Sequence, residues 1–203
     1  MDETHSVVKA AGLIGIATFS SRILGFVRDM VLARLFGATP AADAFFVAYR
    51  VPNLLRELFA EGSMSAAFIP VFTEYHTLKT KRDAWELASA TFTTLLTLVT
   101  AVTVVGILAA PGIVWLLAPG FRESVDKLAL TTLLTQLMFP YLIFISLAAL
   151  AMGILNSLRD FAAPAFSPVF FNIFTIACML FLSPWLSEPI LAVAIGIVVG
   201  GVA

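Results

Sequence analysis

The sequence predicts an all-α integral membrane protein, and three observations support this prediction. Hydrophobic residues make up 60% of the 203 residues and charged residues 12%, whereas ordinary globular domains have about half and about a quarter. The mean hydropathy is +0.99. Three uncharged runs, at residues 87–121, 128–158 and 161–187, each exceed the roughly 20 residues that a helix needs to cross a bilayer.

Six helical segments follow in order. The first two cover residues 7–36 and 41–73, and they are the charged ones because the first 86 residues hold 18 of the 25 charges. Between them, "GATPAAD" combines glycine, proline and a candidate aspartate N-cap, which predicts a turn. Four further helices are predicted at 86–118, 128–158, 161–184 and 188–203. The last is still apolar at its final residue, so we expect the sequence to end inside a helix. Prolines within or near the ends of these helices, at 52, 70, 111, 140 and 168, predict kinks, which suit either static irregular packing or a changing shape.

Basic residues in the short loops predict a cytoplasmic N-terminus. With that orientation the cytoplasmic segments hold five of them, and the opposite side holds only Arg122 and Lys127. The five are Lys9, Lys79, Lys81, Arg82 and Arg159.

Composition also excludes several classes of site and partner. The formal net charge of -1 argues against nucleic-acid binding, since there is no basic face to neutralise phosphates. A single cysteine, Cys178, and two distant histidines predict neither a disulfide framework nor a thiolate or histidine metal site. The N-terminus lacks the basic region and cleavage site of a signal peptide. No cofactor is expected.

The first helix carries charge where lipid would surround it. A charge at the bilayer centre costs on the order of 2.5–3.5 kcal/mol, so such residues must pair or line a hydrated cavity. At 100° per residue, Arg22 and Asp29 lie within about 20° of each other, and Arg28 lies about 100° from Asp29. Asp29 can cancel only one arginine, so positive charge remains. Arg34, near the helix end, is interpreted as an interfacial anchor.

The second helix has an acidic stripe and an arginine beside it. Asp43, Arg50, Glu57 and Glu61 lie within about 40°, whereas Arg56 points about 100° away. Arg50 could be neutralised by Asp43 or Glu57, one helical repeat away on either side. Spare guanidinium groups suit phosphate, which they bind through two parallel hydrogen bonds. The two helices together predict a polar, anion-binding cavity.

Ordered motifs across the chain carry a family resemblance. "SRILGFVRD", "DAFFVA", "PNLLR" and "FAEG" are followed by "APGF", "FPYLIFISLAALAMGILNS" and "FAAPAFSPVFFNI". In this order they resemble the MurJ/MviN family of lipid II flippases, within the multidrug/oligosaccharidyl-lipid/polysaccharide exporter superfamily. The resemblance covers essentially the whole chain.

The resemblance implies a fold of 14 transmembrane helices in two pseudo-symmetric lobes around a central cavity. This chain would be the N-terminal six-helix lobe, with the sixth helix truncated and the C-terminal lobe absent. The implied function is to flip lipid II, an undecaprenyl-diphosphate disaccharide-pentapeptide, between the leaflets of the bacterial cytoplasmic (inner) membrane by alternating access. No bond is made or broken, so the protein would not be an enzyme, and its partners would be lipid II and membrane lipids.

The same resemblance assigns roles to residues. Arg22, Arg28 and Arg56 would bind the diphosphate, and Asp29 would position an arginine and take part in switching. Asp43 and Glu61 match family motifs as second-rank candidates, and Arg50 and Glu57 join this cavity and switch group. Glu57 is also a departure, because some family members have a second basic residue there.

Other functions stay open at this point. A drug exporter of the same superfamily would line its cavity with acids, which the arginine surplus disfavours, while a polysaccharide-unit flippase remains compatible. A membrane enzyme acting on polyprenyl diphosphate would need paired aspartates for Mg²⁺ or a histidine nucleophile, and His76 stands alone. A scaffold that binds cell-wall synthesis proteins would use these charges only to join helices.

Overall fold

The computed structural model describes the backbone of residues 2–58 and 63–203, and the side chains of residues 12–58 and 67–203. Within these ranges the regular elements are all helical, which confirms the predicted class. Eight α-helices are described: α1 (Asp2–Phe36), α2 (Pro40–Arg56), α3 (Ser63–Leu78), α4 (Lys81–Leu117), α5 (Val125–Met138), α6 (Tyr141–Ser157), α7 (Ala162–Leu182) and α8 (Leu191–Val202). Two 3₁₀ turns, Pro119–Phe121 and Ser183–Trp185, lie in the connections.

Three segments of the described chain are long and apolar enough to cross a membrane. They are Lys81–Leu117, Val125–Ser157 and Ala162–Trp185, so α5 and α6 together count as one span. The shorter α8 is also apolar. The charged helices α1, α2 and α3 are not among these three, which agrees with the concentration of charge at the beginning of the chain.

Two of the predicted helices correspond to pairs of helices in the structure. The predicted segment 41–73 contains α2 and most of α3, with a π-helical turn at Glu57 and Leu58 followed by residues 59–62, which are outside the described part. The predicted segment 128–158 contains most of α5 and all of α6, which are interrupted at Phe139 and Pro140. Proline lacks a backbone N–H and clashes with the preceding turn, and here the backbone changes to a tighter turn in which Leu142 N donates to Phe139 O at 3.0 Å.

The other four prolines remain inside helices, at Pro52, Pro70, Pro111 and Pro168. Helix α4, which corresponds to the predicted helix 86–118, begins earlier than hydropathy predicts, at Lys81 instead of residue 86. Thr80 and Asp83 explain this start, because they form a capping box in which each side chain accepts from the other's backbone N–H. A search for apolar runs misses this first turn of α4, because its residues are mostly charged.

Three pairs of packed helices run in the same direction: α1 with α7, α2 with α5, and α3 with α6. Ser21 and Arg28 of α1 both contact Asn172 of α7, while Asp43 at the beginning of α2 contacts Lys127 at the beginning of α5. The α3 and α6 helices also meet, since a Cβ built on Gly153 would lie 3.6 Å from Cγ1 of Ile69.

Glycines allow α7 and α8 to approach closely. A Cβ on Gly196 would lie 3.1 Å from the Thr175 backbone, and one on Gly200 only 2.8 Å from Phe171 O. The spacing of four residues places both glycines on one face of α8, as in small-residue packing between membrane helices. Gly106 of α4 serves the same purpose for the Phe139 ring, which would lie 2.1 Å from an added Cβ.

The chain direction defines two faces of the bundle. We call the side with the connections at 79–80 and 158–161 the first face, and the side with those at 37–39, 118–124 and 183–190 the second face. Helix α1 therefore ends at the second face, and α2 runs back from it. The expected cytoplasmic lysines and arginines after residue 78 lie on the first face.

Candidate functional site

Two cavities between the helices share the residue Tyr49. The larger has a volume of about 690 Å³, and its lining includes Tyr49, Arg56 and Ser167. The smaller, of about 370 Å³, is lined by Tyr49, Arg28, Asp29, Thr175 of α7, and apolar residues of α1, α2 and α8. We call them the Arg56 cavity and the Arg28 cavity. Each therefore combines an apolar wall with one of the predicted arginines.

Helical spacing on α2 explains why Tyr49 and Arg56 share a cavity. The two residues are seven positions apart and so lie on the same face of the helix. Tyr49 is held by stacking on Phe45, with ring centroids 5.9 Å apart and the planes 9° from parallel. Tyr49 thus lies at the boundary between the cavity lined by Arg56 and the cavity lined by Arg28.

Arg28 is the centre of a polar cluster that joins α1 to α7. Its Nε and Nη2 donate to Oδ1 of Asp29 at 3.1 and 2.9 Å, and its Nη1 donates to Oδ1 of Asn172 at 3.2 Å. We call these three residues the Arg28 cluster. The Arg28 side chain is 31% exposed and Asp29 is 68% exposed, so the pair is at the wall of the cavity and not sealed in the protein.

The Arg28 guanidinium keeps donors for a ligand. Arginine has five N–H groups, and three of them donate in the described structure, which leaves two, one on each Nη. Guanidinium N–H groups in such a pair match two oxygens of a phosphate. Chemically, the Arg28 cavity is suited to an anion with an apolar neighbour.

The structure pairs Asp29 differently from the helical-wheel prediction. The wheel places Asp29 on the face of Arg22, but Asp29 binds Arg28, its neighbour in sequence. A long arginine side chain can fold back across one residue, and the wheel ignores side-chain length. Arg22 itself is exposed, lies outside both cavity linings, and makes no hydrogen bond or ion pair with the described residues.

Arg56 is organised by the amide of Asn53. Arg56 Nε donates to Asn53 Oδ1 at 3.1 Å, and Asn53 Nδ2 donates to Glu57 Oε1 at 3.1 Å. Asn53 therefore binds both the arginine and the carboxylate that follows it. Arg56 faces the Arg56 cavity, whereas Glu57 is exposed and lines neither cavity.

Asp43 forms a salt bridge at the second face. Lys127 Nζ donates to its Oδ2 at 2.8 Å and lies 4.0 Å from the centroid of the Phe121 ring. We call Asp43, Lys127 and Phe121 the Lys127 clasp. The alternative in which Asp43 or Glu57 neutralises Arg50 has no ion pair to support it among the described residues, where the two carboxylates bind Lys127 and Asn53 instead.

The remaining predicted residues lie apart from the two cavities or outside the description. Arg50 is exposed, has no hydrogen-bond or ion-pair partner among the described residues and, like Asp43, lines neither cavity. Glu61 is outside the described part of the chain. The described residues also contain no group of three or more His, Cys, Asp or Glu that could hold a metal ion.

Sequence reasoning missed Asn172 and Tyr49. Asn172 is a single amide within the apolar run "PVFFNIFTIA", and an isolated polar residue in such a run is a signal that could have identified it. Tyr49 follows "DAFFVA" and is seven residues before Arg56. Its shared helical face was available from the sequence, but its place between two cavities depends on the packing of α2 against other helices.

Several known proteins are similar to this chain in sequence. The family described as lipid II flippase MurJ matches residues 32–203. A lipid II flippase MurJ of Burkholderia cenocepacia is 41% identical over 185 residues, which cover 91% of this chain and 36% of that protein. A probable lipid II flippase MurJ of Vibrio cholerae is 42% identical over 205 residues, covering 96% and 38%.

A solved structure gives the same result for the fold. The lipid II flippase MurJ in an inward closed conformation superposes with a TM-score of 0.72 at 30% identity, covering 93% of this chain and 40% of that one. The chain thus spans a little more than a third of the length of these relatives. Because the family match extends over most of its residues, this chain belongs to the lipid II flippase MurJ family.

Proposed function

We propose that this chain forms the part of a lipid II flippase that binds the diphosphate of the substrate. The observation that carries the proposal is Arg28, which lines a cavity with two N–H groups uncommitted among the described residues. The names of the relatives supply the substrate class, a lipid-linked peptidoglycan precursor. The lipid would pass from the inner to the outer leaflet of the bacterial inner membrane without covalent chemistry.

Three arginines would hold the diphosphate at successive depths. Arg56 is the last residue of α2 and lines the Arg56 cavity, whereas Arg28 lies eight residues before the end of α1, nearer the second face. Arg22 is exposed on α1, six residues before Arg28, and so lies nearer the first face than Arg28 does. If the first face is cytoplasmic, as the distribution of lysine and arginine predicts, the substrate would meet Arg56 before Arg28.

Asp29 would act as the local switch. Its carboxylate holds two N–H groups of Arg28 in the described structure, and an arriving phosphate would compete for the same guanidinium. Exchange between these two acceptors would couple the ligand to the position of α1, as alternating access requires. The polyprenyl tail would stay in lipid while the polar head crosses the hydrated space.

A chimera provides the test of this proposal. This chain would replace the matching segment of the Burkholderia cenocepacia relative, and growth would be measured in cells depleted of their own lipid II flippase. We expect the wild-type chimera to restore growth, and Arg28→Ala and Arg22→Ala to abolish it while the protein still inserts in the membrane. Each removed charge-assisted hydrogen bond is worth about 1.5–3 kcal/mol.

Arg34→Ala is the matched control for Arg28→Ala, because Arg34 is another arginine of α1 but lines neither cavity. Cells with this variant should grow normally. Normal growth with both Arg22→Ala and Arg28→Ala would contradict the proposal, as would a wild-type chimera that inserts but does not support growth. Loss of the folded protein in the arginine variants would instead favour a scaffold in which these charges only join helices.

A further inference from the structure

Asn172 connects the proposed anion site to the packing of α1 on α7. We infer that Asn172 is a positioning residue that holds the Arg28 guanidinium in the orientation needed to bind a phosphate. The inference rests on the proposed function of Arg28 as a diphosphate ligand. Asn172 is uncharged, so a search of the sequence for charged residues does not find it.

The Asn172 amide is buried and fully used. Asn172 is 5% exposed, and its Nδ2 donates to Ser21 O at 3.3 Å and to Pro168 O at 3.0 Å, while its Oδ1 accepts from Arg28 Nη1 at 3.2 Å. These bonds determine which way the amide points. Turned over, it would direct two donors at a guanidinium, which has no acceptor, and leave its oxygen against two carbonyls.

The contact lies within the packed interface of α1 and α7. Ser21, Gly25 and Arg28 are spaced by four and three residues, so they share one face of α1. A Cβ on Gly25 would lie 3.8 Å from Asn172 Nδ2, which shows how near the α1 backbone is to the amide. Because the same amide bonds to the α1 backbone and to Arg28, a change in the distance between the two helices would move the partner of the Arg28 guanidinium.

Two partners together restrict the arginine. Asp29 holds the edge formed by Nε and Nη2, and Asn172 holds Nη1. With both ends of the guanidinium held, its plane is defined before a ligand arrives. A side chain already ordered in its binding orientation loses less conformational entropy when it binds, so removing Asn172 should weaken binding even though the arginine remains.

The competing explanation is that Asn172 only joins α1 to α7. The two sides of the amide separate these roles, because Nδ2 bonds to backbone carbonyls and only Oδ1 bonds to Arg28. A variant that keeps the bond to Pro168 O and removes the acceptor tests the role toward Arg28, while thermal unfolding reports the cost of the bond to Ser21 O that is lost with it. Asn172→Thr is suitable, since Thr175 on the same helix donates its hydroxyl to the carbonyl four residues earlier at 2.8 Å. A threonine at 172 could donate to Pro168 O in the same way and is too short to reach Arg28.

The experiment is a double-mutant cycle in the Burkholderia chimera. The chimeras are purified in detergent, and the affinity for farnesyl diphosphate, a short polyprenyl diphosphate, is measured for wild type, Asn172→Thr, Arg28→Ala and the double variant. We expect Asn172→Thr to weaken binding about fivefold and Arg28→Ala to weaken it more. In the Arg28→Ala background, Asn172→Thr should have no further effect, because residues that act through one another are not additive.

Thermal unfolding and a control variant separate positioning from stability. Thr131→Val removes a buried polar group from a different helix, a hydroxyl that donates to Lys127 O at 2.7 Å, and should lower stability without changing farnesyl diphosphate affinity. Asn172→Ala is the second variant in case threonine at 172 binds Arg28 indirectly. It should show the same dependence on Arg28 as Asn172→Thr.

The outcomes distinguish the two proposals. If the wild-type chimera does not bind farnesyl diphosphate, or Arg28→Ala binds it equally well, the proposed function fails. If Arg28→Ala weakens binding but the Asn172 variants do not, or if their effect is equally large without Arg28, the positioning role is wrong and the function of Arg28 stands. A fall in unfolding temperature with unchanged affinity would also assign Asn172 to structure alone.

Discussion

The Arg28 cluster and the Lys127 clasp both place a cation beside an aspartate, but at different depths and with different partners. Arg28 lies eight residues before the end of α1, or about 12 Å along the helix. Lys127 is the third residue of α5, at the second face. Arg28 divides its donors between a carboxylate and a buried amide, whereas Lys127 is held by a carboxylate and an aromatic ring.

The difference shows how charge in a membrane bundle can serve structure or binding. In the Lys127 clasp, the single positive charge of the lysine is matched by Asp43 and covered by Phe121. In the Arg28 cluster, the acid is also matched one to one, but the flat guanidinium has more donors than its described partners use and lines a cavity. Formal charge balance is therefore a poor guide to function. The number of remaining donors and the presence of an adjacent cavity are better ones.

The largest expected effect comes from making Arg28 resemble Lys127. Arg28→Lys keeps the positive charge but replaces the planar fork with a point charge. We expect the affinity of the chimera for farnesyl diphosphate to fall about tenfold, the equivalent of one good hydrogen bond. Affinity equal to wild type would mean that charge alone is recognised and that the geometry of the guanidinium is unimportant.

A smaller effect of opposite sign is expected at Asp29. Asp29→Asn preserves an oxygen that accepts from Arg28 and removes the negative charge beside the anion site. Because two unit charges about 4 Å apart in water interact by about 1 kcal/mol, we expect about fivefold tighter binding of farnesyl diphosphate. If Asp29 is also the switch, transport should be slower in the same variant, and flippase-depleted cells that carry it should grow more slowly than cells with the wild-type chimera. Weaker binding would indicate that Asp29 orients Arg28 mainly through its charge.

The smallest effect is expected from the Lys127 clasp. Lys127→Met removes the ion pair while preserving much of the contact with Phe121. Because the Asp43 partner is 61% exposed, the ion pair should contribute close to the about 0–1 kcal/mol of a surface pair, so we expect a small decrease in unfolding temperature and farnesyl diphosphate affinity within about twofold of wild type. A large loss of affinity would contradict the division between a structural and a binding cluster.

Hydropathy and charge predict much of this architecture but not its interruptions. The apolar runs identify α4, α7 and α8 as separate elements, because burial in lipid requires long uncharged segments. The same runs merge α5 with α6, since the break at Pro140 lies within an unbroken apolar stretch. Proline identifies a position where a break can occur, yet Pro111 and Pro168 stay inside helices, so the surrounding packing decides the result.

The site shows a similar division between local and distant information. The cost of burying charge singles out Arg28 and Arg56, and both line cavities. The salt bridge between Asp43 and Lys127 joins residues 84 positions apart, and the bond from Arg28 to Asn172 joins residues 144 positions apart. No helical wheel contains such pairs, because they depend on which helices are neighbours.

The parallel packing of α2 and α3 along α5 and α6 has a consequence for how this region can change in length. Asp43 meets Lys127, and Ile69 faces Gly153, so each partner lies 84 residues after the first. The stretches between these contacts are equal, since 69 − 43 and 153 − 127 are both 26. Adding one residue to either stretch would advance the following helix by about 1.5 Å and turn it by about 100°. A one-residue insertion in either stretch should therefore break the contact between Ile69 and Gly153, and a matching insertion in the other stretch would restore only their level along the bundle, because both helices would turn in the same sense.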